Sequence, residues 1–226
     1  MCGGMASSPC ELFGPLRRRL ALVAASMAML ACTAAAASAS SGGGLLSPVL
    51  TPCSGQTLSN PFLPWSDVAN YGFVANGGLE RGATGWALTG SAGVASGNET
   101  YGVHALADSR SLALPAGSSA TSPAACMGTL SPTMRFFARN TGAASSTLRV
   151  NVLYTDALGL HWNVPIATLS GFSSWAPSPI VLILANVTAL PLVSGGSSQV
   201  SFQFTPQGAG GAWQIDDTYL DPYKGS

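Results

Sequence analysis

Groups that could carry acid–base or nucleophilic chemistry are scarce in this chain. Its 226 residues include two histidines, His104 and His161, and charged residues make up 8% of the total. A hydrolytic triad needs a base beside its nucleophile, and neither histidine lies in a recognisable motif of that kind. A glycosidase needs two carboxylates across a cleft, and no motif pairs the candidates. Those candidates are Glu80, Glu99, Asp156 and Asp217. The sequence therefore favours a non-catalytic protein, with a small hydrolase of unrecognised site as a further alternative.

A second chemistry, the recognition of sugars, needs aromatic rings and hydrogen-bonding side chains on one surface. Strand-like alternation places such side chains on one side of three predicted strands, opposite their apolar positions. If these strands are neighbours, they build one polar face. The candidate ligand-binding residues on it are Arg135, Phe137, Arg139, Arg149, Asn151, His161 and Asn163. The alternative is an ordinary solvated sheet face, in which arginine stems cover Phe137.

The elements that must position these residues have the pattern of strands. Short β-type runs alternate with clusters of Gly, Pro, Asn and Asp, and no stretch shows helical periodicity over three turns. The clearest runs cover residues 133–139, 147–155, 162–169, 180–184, 199–205 and 213–220. Such a pattern predicts an all-β sandwich. The predicted core residues are Met134, Phe136, Ala138, Leu148, Val150, Val152, Tyr154, Trp162, Val164, Ile166, Val200, Phe202 and Phe204. The run over 180–184 is continuously apolar and is predicted to be buried on both sides.

Composition and charge restrict the class of protein further. Hydrophobic residues make up 47% of the chain, and nine basic residues balance nine acidic ones. High hydrophobicity with low charge argues against disorder, because disordered chains combine low hydrophobicity with high charge. The absence of a basic surplus argues against a nucleic-acid partner. The length suits one domain with a substantial core.

The N-terminal residues have the pattern of an export signal. Three arginines at 17–19 precede an apolar run over 20–30 and an Ala/Ser-rich tract over 31–41. This order is typical of secretory signal peptides. Residues 37–39, Ala-Ser-Ala, fit a signal peptidase site, so residues 1–39 are predicted to be a signal segment. The mature protein is then expected to be secreted or held at the cell surface.

Cys32 allows an alternative to simple cleavage. Residues 29–32, Met-Leu-Ala-Cys, also resemble a bacterial lipobox, in which Cys32 would carry a lipid. Membrane association is predicted only through this lipid or through the signal segment itself. A Ser/Gly/Pro-rich linker is predicted over 40–58, followed by one β-sandwich domain over 59–226.

Cys53 and Cys126 are the two cysteines that follow the predicted lipidation position. In an oxidising compartment they most simply form a disulfide, and two buried free thiols are the alternative. The chain has no Cys-x-x-Cys motif and no Cys/His cluster of the kind that holds structural zinc.

Two segments resemble the two ends of a known domain family. Asn76-Gly77-Gly78-Leu79-Glu80, followed by Gly85-Trp86, resembles the opening NGGFE…GW motif of carbohydrate-binding modules with the galactose-binding-like jelly-roll fold. Residues 213–221, WQIDDTYLD, resemble the closing strand of that family. The resemblance implies a jelly-roll β-sandwich that binds an extracellular or cell-envelope polysaccharide. It extends to small exported actinobacterial proteins of undefined role, so a structural or protein-interaction role at the envelope is the alternative.

The same resemblance implies a structural Ca²⁺. In that family the Glu after the Gly-Gly turn and an Asp of the last strand help to ligate the ion. The corresponding residues here are Glu80 and Asp216, with Asp217 as the substitute. Alternation places Asp216 and Asp217 on opposite faces, so only one should ligate through its side chain. The alternative is that Glu80 pairs with Arg81 or Arg110, while the two aspartates cap turns.

Overall fold

A computed structural model of the chain describes residue 53 and residues 56–128, 132–156, 158–183 and 197–222. The predicted signal segment over 1–39, Cys32 and most of the predicted linker lie outside these residues. Within the described ranges, no helix has both the length and the apolar character needed to cross a membrane.

Fourteen strands and one short 3₁₀ helix, Leu63–Trp65, make up the described part of the chain. In chain order the strands are β1 (Leu58–Ser59), β2 (Tyr71–Phe73), β3 (Ala87–Thr89), β4 (Gly93–Ser96), β5 (Arg110–Leu114), β6 (Ser119–Thr121), β7 (Ala125–Gly128), β8 (Thr133–Asn140), β9 (Thr147–Thr155), β10 (His161–Leu169), β11 (Ala176–Pro177), β12 (Val181–Leu182), β13 (Ser197–Gln207) and β14 (Trp213–Asp221). They form two sheets, here called sheet A and sheet B.

The last strand, β14, is the centre of sheet A. One edge of β14 pairs with β8, and its other edge pairs with β5 and β2. Strands β4 and β1 extend the sheet beyond β5 and β2, and β11 and β12 pair with the far edge of β8. Sheet B has the order β10-β9-β13-β6-β3, and β7 also pairs with β13. Every pairing between described strands is antiparallel, which confirms the predicted all-β sandwich.

Every second side chain of β8, β9 and β13 lies in the interior between the sheets, as the alternation predicts. The predicted core residues that are buried are Met134, Phe136, Ala138, Leu148, Val150, Val152, Tyr154, Val200, Phe202 and Phe204. Phe136 of sheet A meets Phe204 of sheet B edge to face, with ring centroids 5.0 Å apart. This contact joins the two sheets across the core.

The prediction that Trp162 of β10 lies in the core is wrong. This side chain lies opposite Tyr154 and stacks with its ring, but it is 40% exposed. Val164 and Ile166 are only half-buried. The reason is that β10 is an edge strand of sheet B, so a neighbouring strand covers its side chains on one side only.

The prediction that residues 180–184 are buried on both sides is also wrong. Val181 and Ile183 are buried, whereas Ile180 and Leu182 are about half exposed. Strand β12 pairs only with β8 at the margin of sheet A, so one of its faces is open to water.

The outer face of sheet A is covered as well, which alternation alone does not predict. Phe62, next to the 3₁₀ helix, stacks on Phe137 of β8 with ring centroids 5.7 Å apart. The buried aromatic cluster formed here comprises Phe62, Tyr71, Phe137, Trp175 and Tyr219. Sheet A therefore lies between two apolar layers, and sheet B presents its outer face to solvent.

Candidate functional site

Four of the seven predicted ligand-binding residues share the outer face of sheet B. Arg149 and Asn151 lie on β9, and His161 and Asn163 lie on the adjacent β10. Strand β13 lies on the other side of β9 and places Gln203 opposite Asn151. We call this surface, with Leu153, Gln199, Ser201 and Thr121, the sheet B face.

Amide side chains cross the sheet B face in a hydrogen-bonded row. The Asn151 amide donates to Oδ1 of Asn163 at 2.6 Å, and the Asn163 amide donates to Oε1 of Gln203 at 3.5 Å. Gln203 in turn donates to Oγ1 of Thr121 at 3.5 Å. Oδ1 of Asn151 is buried and has no hydrogen-bond donor among the residues that the structure describes. The row therefore keeps donors and acceptors oriented across four strands, with one acceptor left unused.

A cavity of about 590 Å³ opens at the β9–β10 end of this face. The described residues that line it include no carboxylate, lysine or arginine. The lining residues are Thr121, Ala124, Leu153, Tyr154, Thr155, His161, Trp162, Asn163, Gln199 and Ser201. The site thus offers hydroxyls, amides, one imidazole and one indole to a ligand.

Trp162 and His161 are held in place at the rim of this cavity. The Trp162 indole N–H donates to Oδ2 of Asp156 at 2.9 Å, and Nδ1 of His161 lies 2.9 Å from Oγ1 of Thr155. The hydrogen bonds from Trp162 and from the backbone N–H of Leu160 hold the pKa of Asp156 below its usual value. Asp156 is therefore an anion that orients the indole.

Arg135, Phe137 and Arg139, the other three predicted ligand-binding residues, do not join this face. Their strand, β8, belongs to sheet A, so the single polar face expected from the sequence is not formed. Phe137 is completely buried in the aromatic cluster, and Arg135 is 6% exposed. Arg139 donates to Oε1 of Gln214 at 2.5 Å and lies over the ring of Trp175. Phe62 and Trp65, which precede β2, pack on the ring of Phe137.

Arg135 has a structural role that its burial explains. Its guanidinium donates to Oδ2 of Asp67 at 2.8 Å and to the carbonyl of Ser178 at 2.9 Å, and it lies over the ring of Phe62. Burial raises the pKa of Asp67, but hydrogen bonds from Arg135 and Tyr71 outweigh it, so that the pKa is lowered overall. The Arg135–Asp67 pair therefore connects β8 to the segment between the 3₁₀ helix and β2.

Glu80 contacts backbone rather than a second carboxylate. Its Oε1 accepts hydrogen bonds from the N–H groups of Ser109 and Arg110, both at 2.7 Å. These bonds fasten the turn after Gly78 to the start of β5. The prediction that Glu80 ligates Ca²⁺ is neither confirmed nor contradicted by this contact.

Asp216 and Asp217 do not alternate across β14 as predicted. The pairing of β14 with β8 shifts register between Asp216 and Tyr219, and Asp217 has a left-handed φ of 43°. A Cβ placed on Gly78 would lie 2.8 Å from Oδ1 of Asp217 and 3.7 Å from Oδ1 of Asp216. A β-bulge therefore turns both carboxyl groups towards the Gly-Gly turn, because it inserts residues that break the alternation.

Both of these carboxyl groups are completely buried, and their protonation is shifted accordingly. Burial, followed by the charge of Asp217, raises the pKa of Asp216 to about 9. Burial raises the pKa of Asp217 to about 7, although the charge of His104 acts in the opposite direction. Backbone N–H groups of Glu99 and Asp217 donate to Asp216.

Asp217 also belongs to a group that the sequence analysis missed. Its carboxylate lies with His104 and Asp108, and one potential ligand atom from each residue is within 4.8 Å of the others. Among the described residues, this is the group of three or more His, Cys, Asp or Glu side chains that could hold a metal ion. It shares only Asp217 with the predicted set of Glu80, Asp216 and Asp217. Asp217 lies more than a hundred residues from His104 and Asp108 in the chain, so no spacing motif reveals the group.

No protein-family model matches the chain, and no curated protein matches it. Among solved structures, TmCBM61 in complex with β-1,4-galactotriose is 19% identical, with 65% of this chain and 95% of that chain covered and a TM-score of 0.41. The C-terminal family 22 carbohydrate-binding module of Clostridium thermocellum Xyn10B is 18% identical, with 66% and 96% covered and a TM-score of 0.42. The CBM22-1 xylan-binding domain of Paenibacillus barcinonensis Xyn10C is 16% identical, with 66% and 93% covered and a TM-score of 0.44. The similarity is one of β-sandwich fold.

Proposed function

We propose that this chain is a non-catalytic, exported protein whose sandwich domain binds a neutral polysaccharide on the sheet B face. The observation that carries the proposal is the row of amides formed by Asn151, Asn163 and Gln203. This row lies beside an open cavity whose described lining has no carboxylate, lysine or arginine. Sugar hydroxyls both donate and accept hydrogen bonds, and amides offer both functions in a fixed geometry.

The rim of the cavity supplies the apolar contacts that sugar rings need. The indole of Trp162 is 40% exposed, and Leu153 is half-buried in the lining. Sugar C–H groups pack on such surfaces while their hydroxyls meet the polar side chains. Arg149 is exposed at the other end of the face and extends it along β9. Because the surface is shallow, recognition should be weak for one sugar unit and improve with chain length.

The composition of the cavity also favours binding over hydrolysis. Cleavage of a glycosidic bond needs a pair of carboxyl groups, one on each side of the bond, and the described lining of the cavity contains no carboxyl group. Asp156, which contacts Trp162, has a lowered pKa and would not supply a proton near neutral pH. The disulfide between Cys53 and Cys126 is consistent with export, because such bonds persist in oxidising compartments.

Titration with xylohexaose, β-1,4-galactotriose and soluble neutral polysaccharides, followed by calorimetry and affinity electrophoresis, tests the proposal. We expect binding that weakens about tenfold or more in Trp162→Ala and Asn163→Ala, since each removes one kind of contact. Tyr101→Ala and Arg110→Ala are matched controls, because both residues are exposed on the side of sheet A. Failure of the wild type to bind any of these carbohydrates, or equal losses in the controls, would contradict the proposal.

A structural or protein-interaction role at the cell envelope is the second candidate. Leu158, Leu160 and Trp162 are 70%, 55% and 40% exposed around the β9–β10 hairpin, which gives this end of the domain an apolar surface. Exposed apolar patches of this kind mark protein contacts as well as ligand sites. A wild type that binds no carbohydrate but associates through this hairpin would favour this candidate.

The predicted structural Ca²⁺ at Glu80 and Asp216 forms a separate part of the proposal. Carboxylate oxygens are its preferred ligands, and each oxygen that accepts a backbone N–H still has a second lone pair. We expect EGTA to lower the melting temperature and added Ca²⁺ to restore it. An unchanged melting temperature in EGTA would contradict this part.

A further inference from the structure

We propose that His104, Asp108 and Asp217 hold a first-row divalent metal ion, with Zn²⁺ as the preferred occupant. Their potential ligand atoms converge within 4.8 Å of one another beside the β-bulge of β14 in sheet A. This group is separate from the sheet B face, so the inference does not depend on carbohydrate binding.

The carboxylate of Asp217 is the first observation that supports a cation here. The residue has no exposed surface, and its Oδ2 accepts a hydrogen bond from the backbone N–H of His104 at 3.1 Å. Its Oδ1 is buried and has no hydrogen-bond partner among the described residues. A buried oxygen without a partner is costly, and a bound cation would satisfy it.

The backbone around Asp217 holds its carboxylate in this position. Asp217 occupies the β-bulge of β14 with a φ of 43°, a conformation that is unfavourable for a residue with a side chain. Gly78 leaves space for Oδ1, because a side chain there would begin 2.8 Å from that oxygen. Strained backbone at a buried polar group is typical of functional sites.

His104 and Asp108 supply the other two ligands from the surface side. Nδ1 of His104 lies 2.6 Å from Oδ2 of Asp108, and their side chains are 39% and 9% exposed. The His104 ring stacks on Phe73 with centroids 3.9 Å apart and planes 9° apart, which fixes the plane of the imidazole. Ligands of tetrahedral zinc, each about 2 Å from the metal, lie about 3.3 Å apart. The ion would therefore replace the hydrogen bond between His104 and Asp108 after a small outward movement.

The donor set selects the class of metal. An imidazole nitrogen with two carboxylates suits Zn²⁺ and its first-row neighbours, whereas Ca²⁺ and Mg²⁺ prefer oxygen ligands throughout. The charge of the ion would balance the two aspartates. Three protein ligands leave a fourth position of a tetrahedron for water. A cavity of about 420 Å³, lined by Phe73, Gly78 and His104 among others, opens beside the group and gives solvent access.

Calorimetric titration of tag-free, EDTA-treated protein with Zn²⁺ tests this inference. We expect one Zn²⁺ per chain, a rise in melting temperature, and a visible spectrum typical of tetrahedral coordination when Co²⁺ replaces Zn²⁺. His104→Phe preserves the stacking on Phe73 and removes both ring nitrogens, so it should weaken Zn²⁺ binding about tenfold or more. Asp108→Asn should weaken it as well. His161→Phe, which removes the other histidine of the chain, is the matched control and should bind Zn²⁺ with the affinity of the wild type.

Several outcomes would overturn the inference. These are unchanged Zn²⁺ affinity in His104→Phe, an equal loss in His161→Phe, or no calorimetric binding of Zn²⁺ to the wild type. The melting temperatures of the variants in EDTA show whether they fold, so that lost binding is read only from folded protein. Loss of carbohydrate binding in the sheet B variants leaves the outcome of this experiment unaffected.

Discussion

Asn76 organises the turn that packs against the last strand of sheet A. Its side-chain amide donates to the carbonyls of Gly82 and Thr84 at 2.9 and 3.0 Å, and its Oδ1 accepts from the N–H of Arg81. Its own carbonyl accepts from the Trp86 indole at 3.0 Å. Asn76 adopts a φ of 54°, which asparagine tolerates better than most residues. The Asn-Gly-Gly and Gly-Trp motifs are therefore explained by one folded turn.

Gly77→Ala should destabilise the protein by about 1–3 kcal/mol, the usual cost of overpacking a filled site. A Cβ at Gly77 would lie 2.8 Å from the carbonyl oxygen of Thr218 in the β14 bulge. Gly93→Ala is the control, because a Cβ there meets no atom within 4 Å. Urea denaturation of both variants measures the difference. Equal stabilities would show that the turn and the bulge are not tightly packed.

Arg135→Met should cost about 3–5 kcal/mol of unfolding free energy, because it leaves the buried carboxylate of Asp67 without its cation. Arg135→Met combined with Asp67→Asn should be more stable than the single variant, since the uncompensated charge is then gone. Chemical denaturation of the two variants checks the order. A double variant no more stable than Arg135→Met would contradict the charge-based explanation.

At the scale of elements, local alternation predicts the interior and fails at the outer surface of sheet A. Val150 and Phe202 face inward because a strand places every second side chain on one face, whatever covers the other. The burial of Phe137 depends on Phe62, which comes from a segment 75 positions away in the chain. Likewise, only the fold brings Asp217 to His104, 113 positions apart. Most of the core was therefore predictable from the sequence, whereas the covered face and the meeting of His104, Asp108 and Asp217 were not.

The disulfide also connects distant elements, because it joins Cys53, which precedes β1, to Cys126 of β7. Cys53 and Cys126 are 73 residues apart in the chain and form a bond with a Cα–Cα distance of 5.6 Å, as predicted. Replacing both by serine should lower the stability by about 2–4 kcal/mol, since the unfolded chain regains freedom. Thermal melts of the double variant, and of the wild type with reductant, measure this. A melting temperature that reduction leaves unchanged would contradict the prediction.

At the scale of the whole molecule, the buried pair of aspartates makes stability depend on pH. Burial raises the pKa values of Asp216 and Asp217 to about 9 and about 7, from 3.8. Between 3.8 and these values the folded protein binds more protons than the unfolded chain, so the unfolding free energy falls as pH rises. Asp67, whose pKa is lowered, acts in the opposite direction, but only at pH values below about 3.8. The metal-free protein should therefore lose stability steadily from pH 5 to about pH 9.

Urea denaturation in EDTA across this pH range provides the measurement, and Asp216→Asn isolates the cause. Asparagine resembles the protonated aspartic acid in shape and has no charge to bury, so the variant should gain stability relative to the wild type as pH rises. Zn²⁺ should act in the same direction, because a cation bound by Asp217 compensates the charge that burial penalises. A wild type whose unfolding free energy is constant or increases with pH in EDTA would contradict this prediction. It would show that Asp216 and Asp217 ionise in the folded protein without a cost in stability.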